Sequence, residues 1–225
     1  MEEVIKTQQL TKYYSKTKET EPALAGVDLT VKTGELYGLV GPDGAGKTTL
    51  LRILATVMEP TSGSAHLAEL DVIKQPEKIR ARLGYMPQSF SLYPDLSVLE
   101  NLRFFADING VPRERQKTRI DELLDFAHLT DFTKRRSENL SGGMRKKLAL
   151  ACALVHEPEI LLLDEPTTGV DPVSRRELWQ LLTKVIHQGV TVLVSTPYMD
   201  EAERCKTVSI LYRGRILITG SPNEL

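Results

Sequence analysis

The sequence predicts an α/β fold: a parallel sheet with flanking helices, interrupted by a mostly helical insertion. Three observations carry this. Short apolar segments such as Ile160 to Leu163 and Val190 to Val194 alternate with stretches of helical spacing, the pattern of buried strands joined by helices. The segment Glu35 to Val40 (ELYGLV) runs through a glycine-rich turn into a helical pattern. Residues 89–157 carry almost only helical signals, which marks them as an insertion into the core.

Each element has a local reason. Val4 to Leu10 reads as a strand, and Val27, Leu29 and Val31 alternate with polar residues at the period of a half-buried strand. After Glu35 to Val40, the residues Leu50, Leu51, Leu54 and Val57 share one face of a helix over Lys47 to Met58. Ser97 and Glu100 form a capping-box pattern before a helix through Leu99, Leu102 and Phe105, broken at Asn109-Gly110 and Pro112. The next helix shows Ile120, Leu123, Leu124 and Ala127 on one face, which puts the basic run Arg113 to Arg119 on its solvated side. A third helix starts near Ser141 and reaches about His156. Ile160 to Leu163 is a strand that ends at Asp164-Glu165-Pro166, and Pro172 suits the first turn of a helix to His187. Val190 to Val194 is another strand, and Val208 to Tyr212 with Ile216 to Ile218 flank Arg213-Gly214 as a hairpin.

The composition narrows the function classes. The length of 225 residues suits one sizeable domain, and 41% apolar with 26% charged residues is that of a globular chain. With 29 basic and 30 acidic residues, bulk charge draws the chain to neither nucleic acid nor an anionic membrane. The longest apolar run, Leu148 to Val155, is eight residues, against roughly twenty for a bilayer span, so no direct membrane span is expected. The N-terminus, MEEVIKTQQL, is polar and acidic, unlike a signal peptide. Cys152 and Cys205 cannot build a disulfide framework and read as buried thiols in a reducing compartment.

Two motifs carry chemistry. Gly41-Pro42-Asp43-Gly44-Ala45-Gly46-Lys47-Thr48 fits G-x-x-x-x-G-K-[ST] and lies between a predicted strand and helix. Chance produces that pattern in roughly one chain of this length in a hundred. Glycines let backbone N–H groups close around phosphate oxygens, and the helix N-terminus adds positive potential. Lys47 can reach the β- and γ-phosphates, Thr48 can ligate Mg²⁺, and Thr49 completes the candidate cradle. At the end of the strand Ile160 to Leu163, Asp164 is placed to hold Mg²⁺ through its water shell, and Glu165 to polarise an attacking water as general base.

Leu140-Ser141-Gly142-Gly143-Met144 lies ahead of a helix, about twenty residues before ILLLDEP. Together the three motifs resemble those of the ABC ATPases, over nearly the whole chain. The resemblance implies a P-loop NTPase (RecA-like) core with a parallel sheet, an N-terminal antiparallel β subdomain and an inserted helical subdomain. The single ATP-binding domain 1–225 would divide into a core of 1–88 and 158–225 and a helical, signature-bearing part of 89–157. It implies ATP and Mg²⁺ as ligands. Tyr14 resembles the aromatic that stacks on adenine, with Tyr13 as the alternative. Gln88 resembles the glutamine that contacts Mg²⁺ and the attacking water, and Asp171 the aspartate that faces a dimer interface. Ser141, Gly142 and Gly143 would bind the ATP of a second nucleotide-binding domain, packed head to tail. The spacings in Thr167 to Pro172 and Tyr198 to Cys205 resemble bacterial drug and polymer exporters of the ABC-2 type. That branch implies a membrane-spanning permease partner, a place at the cytoplasmic face of the cell membrane, and no nucleic-acid partner. Ser89 to Val98 would then receive the permease.

One position breaks the family's pattern. Where it carries a switch histidine, this sequence has Pro197, which offers neither a side-chain donor nor a backbone N–H. None of His66, His128, His156 and His187 is near in sequence. Locally, Pro197 is expected to begin a helix with Thr196 as its N-cap. A smaller departure is Ala68-Glu69-Leu70-Asp71, where the family keeps a glycine turn. The expectation is a degenerate member of an asymmetric pair: its own site binds ATP and hydrolyses it slowly, while its LSGGM completes the partner's site. The end at Gly220 to Leu225 matches the end of the family's core domain, which suggests the first half of a tandem protein. Two other readings are a soluble ABC-type ATPase acting on ribosomes or another assembly, disfavoured by the balanced charge, and a non-hydrolysing regulatory module, favoured by Pro197 and disfavoured by intact Lys47, Asp164 and Glu165.

Overall fold

The computed structural model describes residues 2–14, 21–89 and 92–224. Two sheets form. The antiparallel one has the order β2-β1-β4-β5 and comprises β1 (Glu3–Lys12), β2 (Leu24–Lys32), β4 (Ser62–Leu67) and β5 (Leu70–Asp71). The second has six strands in the order β10-β9-β3-β8-β7-β6: β3 (Leu36–Val40), β6 (Leu83–Met86), β7 (Ile160–Asp164), β8 (Thr191–Thr196), β9 (Thr207–Tyr212) and β10 (Arg215–Gly220). All its pairings are parallel except the edge hairpin β9–β10.

The all-apolar strands are explained by burial on both faces. Leu161 and Leu163 of β7, Val192 and Val194 of β8, and Leu36 and Val40 of β3 enter one apolar cluster. Their neighbours Ile160, Leu162, Leu193, Tyr37 and Leu39 enter the other. The first cluster is completed by α3 (Val98–Ile108), α4 (Arg113–Phe126), α5 (Gly142–Ala153) and α6 (Pro172–His187). The second is completed by the antiparallel sheet, α1 (Lys47–Leu54) and Ile79 of the short α2 (Pro76–Arg80). Between β6 and β7 the described residues form helices and turns, as the helical signals anticipate, with one isolated antiparallel bridge between Ser97 and Arg136.

The helix starts follow their caps. Ser97 and Glu100 make the reciprocal capping box of α3, and Ser141 caps α5 by accepting from the Met144 N–H at 3.2 Å. Helix α6 has the bounds its sequence predicts, Pro172 to His187, with Asp171 as N-cap. Other boundaries differ. Helix α1 ends at Leu54 instead of Met58, because Thr56 takes φ 60° and turns the chain, leaving Val57 exposed. Helix α5 ends at Ala153, three residues before His156. Thr196 is not an N-cap and Pro197 is not helical: α7 (Met199–Ala202) begins two residues later, after Tyr198. The Thr196 hydroxyl instead accepts from the Tyr198 N–H and donates to Glu201. Of the basic run, Arg113, Arg115 and Lys117 are exposed, but Arg119 turns inward and donates to the Leu154 carbonyl at 2.7 Å, satisfying the end of α5. The turn at Ala68-Glu69 is built without glycine, both residues lying in the left-handed region at φ 46° and 64° between β4 and β5.

Candidate functional site

The topology fixes where the phosphate loop lies. β3 runs between β8 and β9, so its carboxyl end opens at mid-sheet, where ligands of open α/β sheets bind. There Gly41 N–H donates to the Thr196 carbonyl at 3.3 Å and the chain turns into α1. Gly46 has φ 109°, and a Cβ on it would stand 2.4 Å from the Ala23 carbonyl oxygen. A Cβ on Gly41 would stand 2.2 Å from that of Leu211. Both contacts demand glycine. The first turn of α1 holds no acidic residue, so its free amides and dipole face a ligand with their positive potential intact.

Four charged groups converge behind this loop, all buried: Lys47, Lys146, Asp164 and Glu165. Lys47 Nζ folds back, donating to the carbonyls of Gly41 at 2.7 Å and Pro42 at 3.0 Å and pairing with Glu165 Oε1 at 3.1 Å. Glu165 Oε2 accepts from Gln88 Nε2 at 2.9 Å and Thr168 Oγ1 at 3.2 Å. The backbone at Glu165 is left-handed, φ 47°, a strained state for a side chain with a Cβ and one that gathers at functional sites. Asp164 Oδ1 accepts from Thr48 Oγ1 at 3.1 Å and Ser195 Oγ at 2.8 Å. Its Oδ2 is buried without a hydrogen-bond partner among the described residues. Burial pushes the Asp164 carboxyl above the ordinary aspartate range, against the lowering effect of the Ser195 and Thr48 hydrogen bonds. Lys146, reaching in from α5, donates to the Gln88 carbonyl at 3.2 Å; burial lowers its pKa, and the charges of Asp164 and Glu165 oppose that.

The donors suit a hydrated Mg²⁺. Thr48 and Asp164 offer hard oxygens side by side, and the orphaned Oδ2 has no other use in the fold. Gln88, the third expected ligand, stands one group away, bonded to Glu165. Asp43, Gly44, Ala45, Gly46, Lys47, Thr48, Thr49, Gln88 and Glu165 line one cleft of about 320 Å³. Tyr14 closes its mouth, its hydroxyl 3.0 Å from Thr49 Oγ1 and its ring exposed. Tyr13, the alternative, is not on the cleft wall; its N–H donates to Thr61. A larger groove of about 680 Å³ runs past Thr191 and Glu159, at the amino ends of β8 and β7, the wrong end of the sheet for this chemistry.

Ser141, Gly142, Gly143 and Asp171 are not on the cleft wall. They meet one another instead: Asp171 caps α6 through the N–H groups of Val173 and Ser174, and a Cβ on Gly143 would stand 2.3 Å from Ser174. The Ser174 N–H, the largest cause, holds the Asp171 carboxyl below its usual range. The Lys47 cleft and the turn at Ser141 to Gly143 are thus separate features of the surface. Pro197 follows Thr196, the residue bonded to the start of the phosphate loop, and is half-buried. The histidines lie elsewhere: His66 faces Asp71, His156 bonds the Leu83 carbonyl, and His128 and His187 are exposed.

Sequence reasoning missed Ser195, Thr168, Lys146 and Glu201. Ser195 donates to Asp164 and accepts from the Glu165 N–H, so it aligns both acids. Its signal was a polar pair, Ser195-Thr196, ending an apolar strand at the ligand side of the sheet. Lys146 is the middle of three consecutive basic residues, Arg145 to Lys147, near the head of an apolar helix, so nothing in the sequence singles it out.

Comparison with known proteins agrees with this geometry. The family profile described as "ABC transporter" matches residues 24–168. The chain is 51% identical over 205 residues to the probable multidrug ABC transporter ATP-binding protein YbhF of Escherichia coli, covering 91% of this chain and 36% of that protein. It is 41% identical over 200 residues to the Nod factor export ATP-binding protein I of Cupriavidus metallidurans, covering 88% and 66%. Thus it spans about a third of the first relative's length. Among solved structures, it resembles a post-hydrolysis dimer of the ATP-binding cassette MJ0796 bound to ADP and Pi, with a TM-score of 0.88, 31% identity and coverage of 97% and 98%. The chain belongs to the ABC transporter family, as one of its ATP-binding cassettes.

Proposed function

We propose that this cassette binds MgATP in the Lys47 cleft and powers an exporter through association with a second nucleotide-binding domain. The observation that carries the reading is the meeting of Lys47, Thr48, Asp164 and Glu165 in one buried cluster beneath the phosphate loop. Lys47 would exchange its internal acceptors for β- and γ-phosphate oxygens, and Thr48 with Asp164 would hold Mg²⁺, which neutralises phosphate charge. Glu165, freed from Lys47, would polarise the attacking water, kept in orientation by Gln88 and Thr168. Tyr14 would stack on the adenine.

Ser141, Gly142, Gly143 and Asp171 would act on the partner's ATP, which their separation from the cleft supports. Residues 89–157 would form the lobe that carries the first three, while Asp171 stands on the core at the start of α6. The export role is supported by the names of the relatives, and the permease would dock on Ser89 to Val98. Phe90 and Ser91 of that segment lie outside the described residues; Tyr93 is exposed and packs edge-on against Phe104 at 4.5 Å. Among the described residues no helix is long and apolar enough to cross a membrane, so the anchor would be that permease, at the cytoplasmic face.

Pro197 makes the site a slow one in this reading, because nothing at that position can donate to the γ-phosphate. A non-hydrolysing regulatory role is the second reading, and Pro197 is what favours it. Steady-state ATPase of the purified chain and of Pro197→His tests both. We expect slow wild-type turnover, raised at least about tenfold by the histidine. Wild-type turnover of roughly 1 s⁻¹ or more with no gain from histidine would refute the degeneracy. ATP binding with no hydrolysis in either protein, even beside a partner domain, would select the regulatory role.

A further inference from the structure

Among the described residues, two buried acids, Glu35 and Glu201, take no part in the chemistry above, and Glu201 is the more deeply enclosed. Glu201, in α7, is 1% exposed and accepts four hydrogen bonds. Oε1 receives them from Thr167 Oγ1 at 2.6 Å, Arg175 Nε at 2.6 Å and Trp179 Nε1 at 3.2 Å, and Oε2 from Thr196 Oγ1 at 2.5 Å. The donors come from three separate segments. Thr167 stands two residues past Glu165, and its neighbour Thr168 bonds Glu165 directly. The Thr196 carbonyl receives the Gly41 N–H of the phosphate loop. Arg175 and Trp179 lie on α6, whose N-cap is Asp171. Arg175 also pairs with Asp200 and covers the Tyr198 ring at 4.5 Å, so the segment around Pro197 is clamped from both sides.

A desolvated carboxylate tolerates no loss of donors, since each one withdrawn leaves buried charge under-compensated. The three segments therefore move together or not at all. We infer that Glu201 is a positioning residue for ATP turnover, coupling the phosphate loop, the segment behind Glu165 and the Asp171 helix into one unit. Nucleotide arriving at the loop then shifts α6, and docking at Asp171 reaches Glu165. This rests on the ATPase reading.

The chain supplies its own reporter. Trp179 is the sole tryptophan, is buried, and is one of the four donors. The test compares wild type with Glu201→Gln, which keeps the shape and removes the charge. ATP affinity, turnover and the Trp179 emission change on adding MgATP are measured together, with circular dichroism to confirm folding. The wild-type emission should respond to MgATP. In Glu201→Gln the response should vanish and turnover fall about tenfold, with ATP affinity within about twofold of wild type. Should Glu201→Gln not fold, Thr196→Val, which removes one bond of the four, is read in the same way and should show a smaller loss of both. Unchanged turnover and emission response in a folded variant would overturn the inference, as would a loss confined to ATP affinity. ATP binding by the wild type without any Trp179 response overturns it alone. Failure of the wild type to bind ATP overturns the ATPase reading, and this inference with it.

Discussion

Glu165→Gln probes the pair that neutralises the phosphate loop. Lys47 and Glu165 are 3.1 Å apart, and their side chains are 3% and 5% exposed. At an effective dielectric of about 20, that separation is worth about 5 kcal/mol of attraction. Glutamine keeps an acceptor for Lys47 but removes the charge, and the carbonyls of Gly41 and Pro42 retain two of the amine's bonds. The net loss therefore falls at the low end for breaking a buried pair, about 3 kcal/mol. For 225 residues this lowers the melting temperature of the nucleotide-free protein by about 6 °C. Nucleotide affinity moves the other way. In the wild type a phosphate must take Lys47 from Glu165 and then sit beside that carboxylate; the variant imposes neither cost. ATP should bind at least about tenfold tighter, and saturating MgATP should recover the lost stability. Scanning calorimetry with and without MgATP, plus equilibrium dialysis, reads both quantities. An unchanged melting temperature together with unchanged affinity would mean that the Lys47–Glu165 pair carries no weight in the free protein.

Asp164→Asn should raise the stability of the nucleotide-free protein near neutral pH. Burial lifts the folded-state pKa of this acid above the ordinary 3.8, so its ionisation costs folding energy, a cost that grows as pH rises through that window and is absent below it. The variant's advantage should shrink as pH falls toward 3.8, and the variant should lose the Mg²⁺ dependence of ATP binding; urea titrations across pH check the first, and binding with and without Mg²⁺ the second. Glu69→Gly should stabilise the fold by about 1 kcal/mol, or about 2 °C in melting temperature, because φ 64° costs glycine nothing. No gain there would mean that the turn is relieved in some way other than by backbone freedom.

The legible parts of the molecule were those where local chemistry and tertiary context agree. The strand, turn and helix around Gly41 to Thr48, the capping box at Ser97, and α6 between Asp171 and His187 all follow from residues adjacent in the chain. Residues 59–88 gave no assignment. β5 has two residues, β6 has four, and the turn between β4 and β5 uses Ala68 and Glu69 where a hairpin signal would be Asn-Gly. Thr56 ends α1 in a left-handed conformation with no glycine to announce it. In the site, Lys47, Thr48, Asp164 and Glu165 were legible because their motifs encode their geometry. Ser195 and Glu201 were not, because each acts on residues about thirty positions away and is recognisable only once the sheet brings them together.

The alternation of β3, β7 and β8 between the two apolar clusters has a consequence for how the molecule comes apart. Neither cluster can dissolve without stripping one face of the same strands, so each loses its floor when the other melts. The helical lobe is thus tied to the nucleotide core as a single cooperative unit, and heating should give one calorimetric transition. Any displacement of residues 89–157 against the sheet should then be a rigid tilt, since partial unfolding at that boundary would dissolve the Lys47 cleft with it.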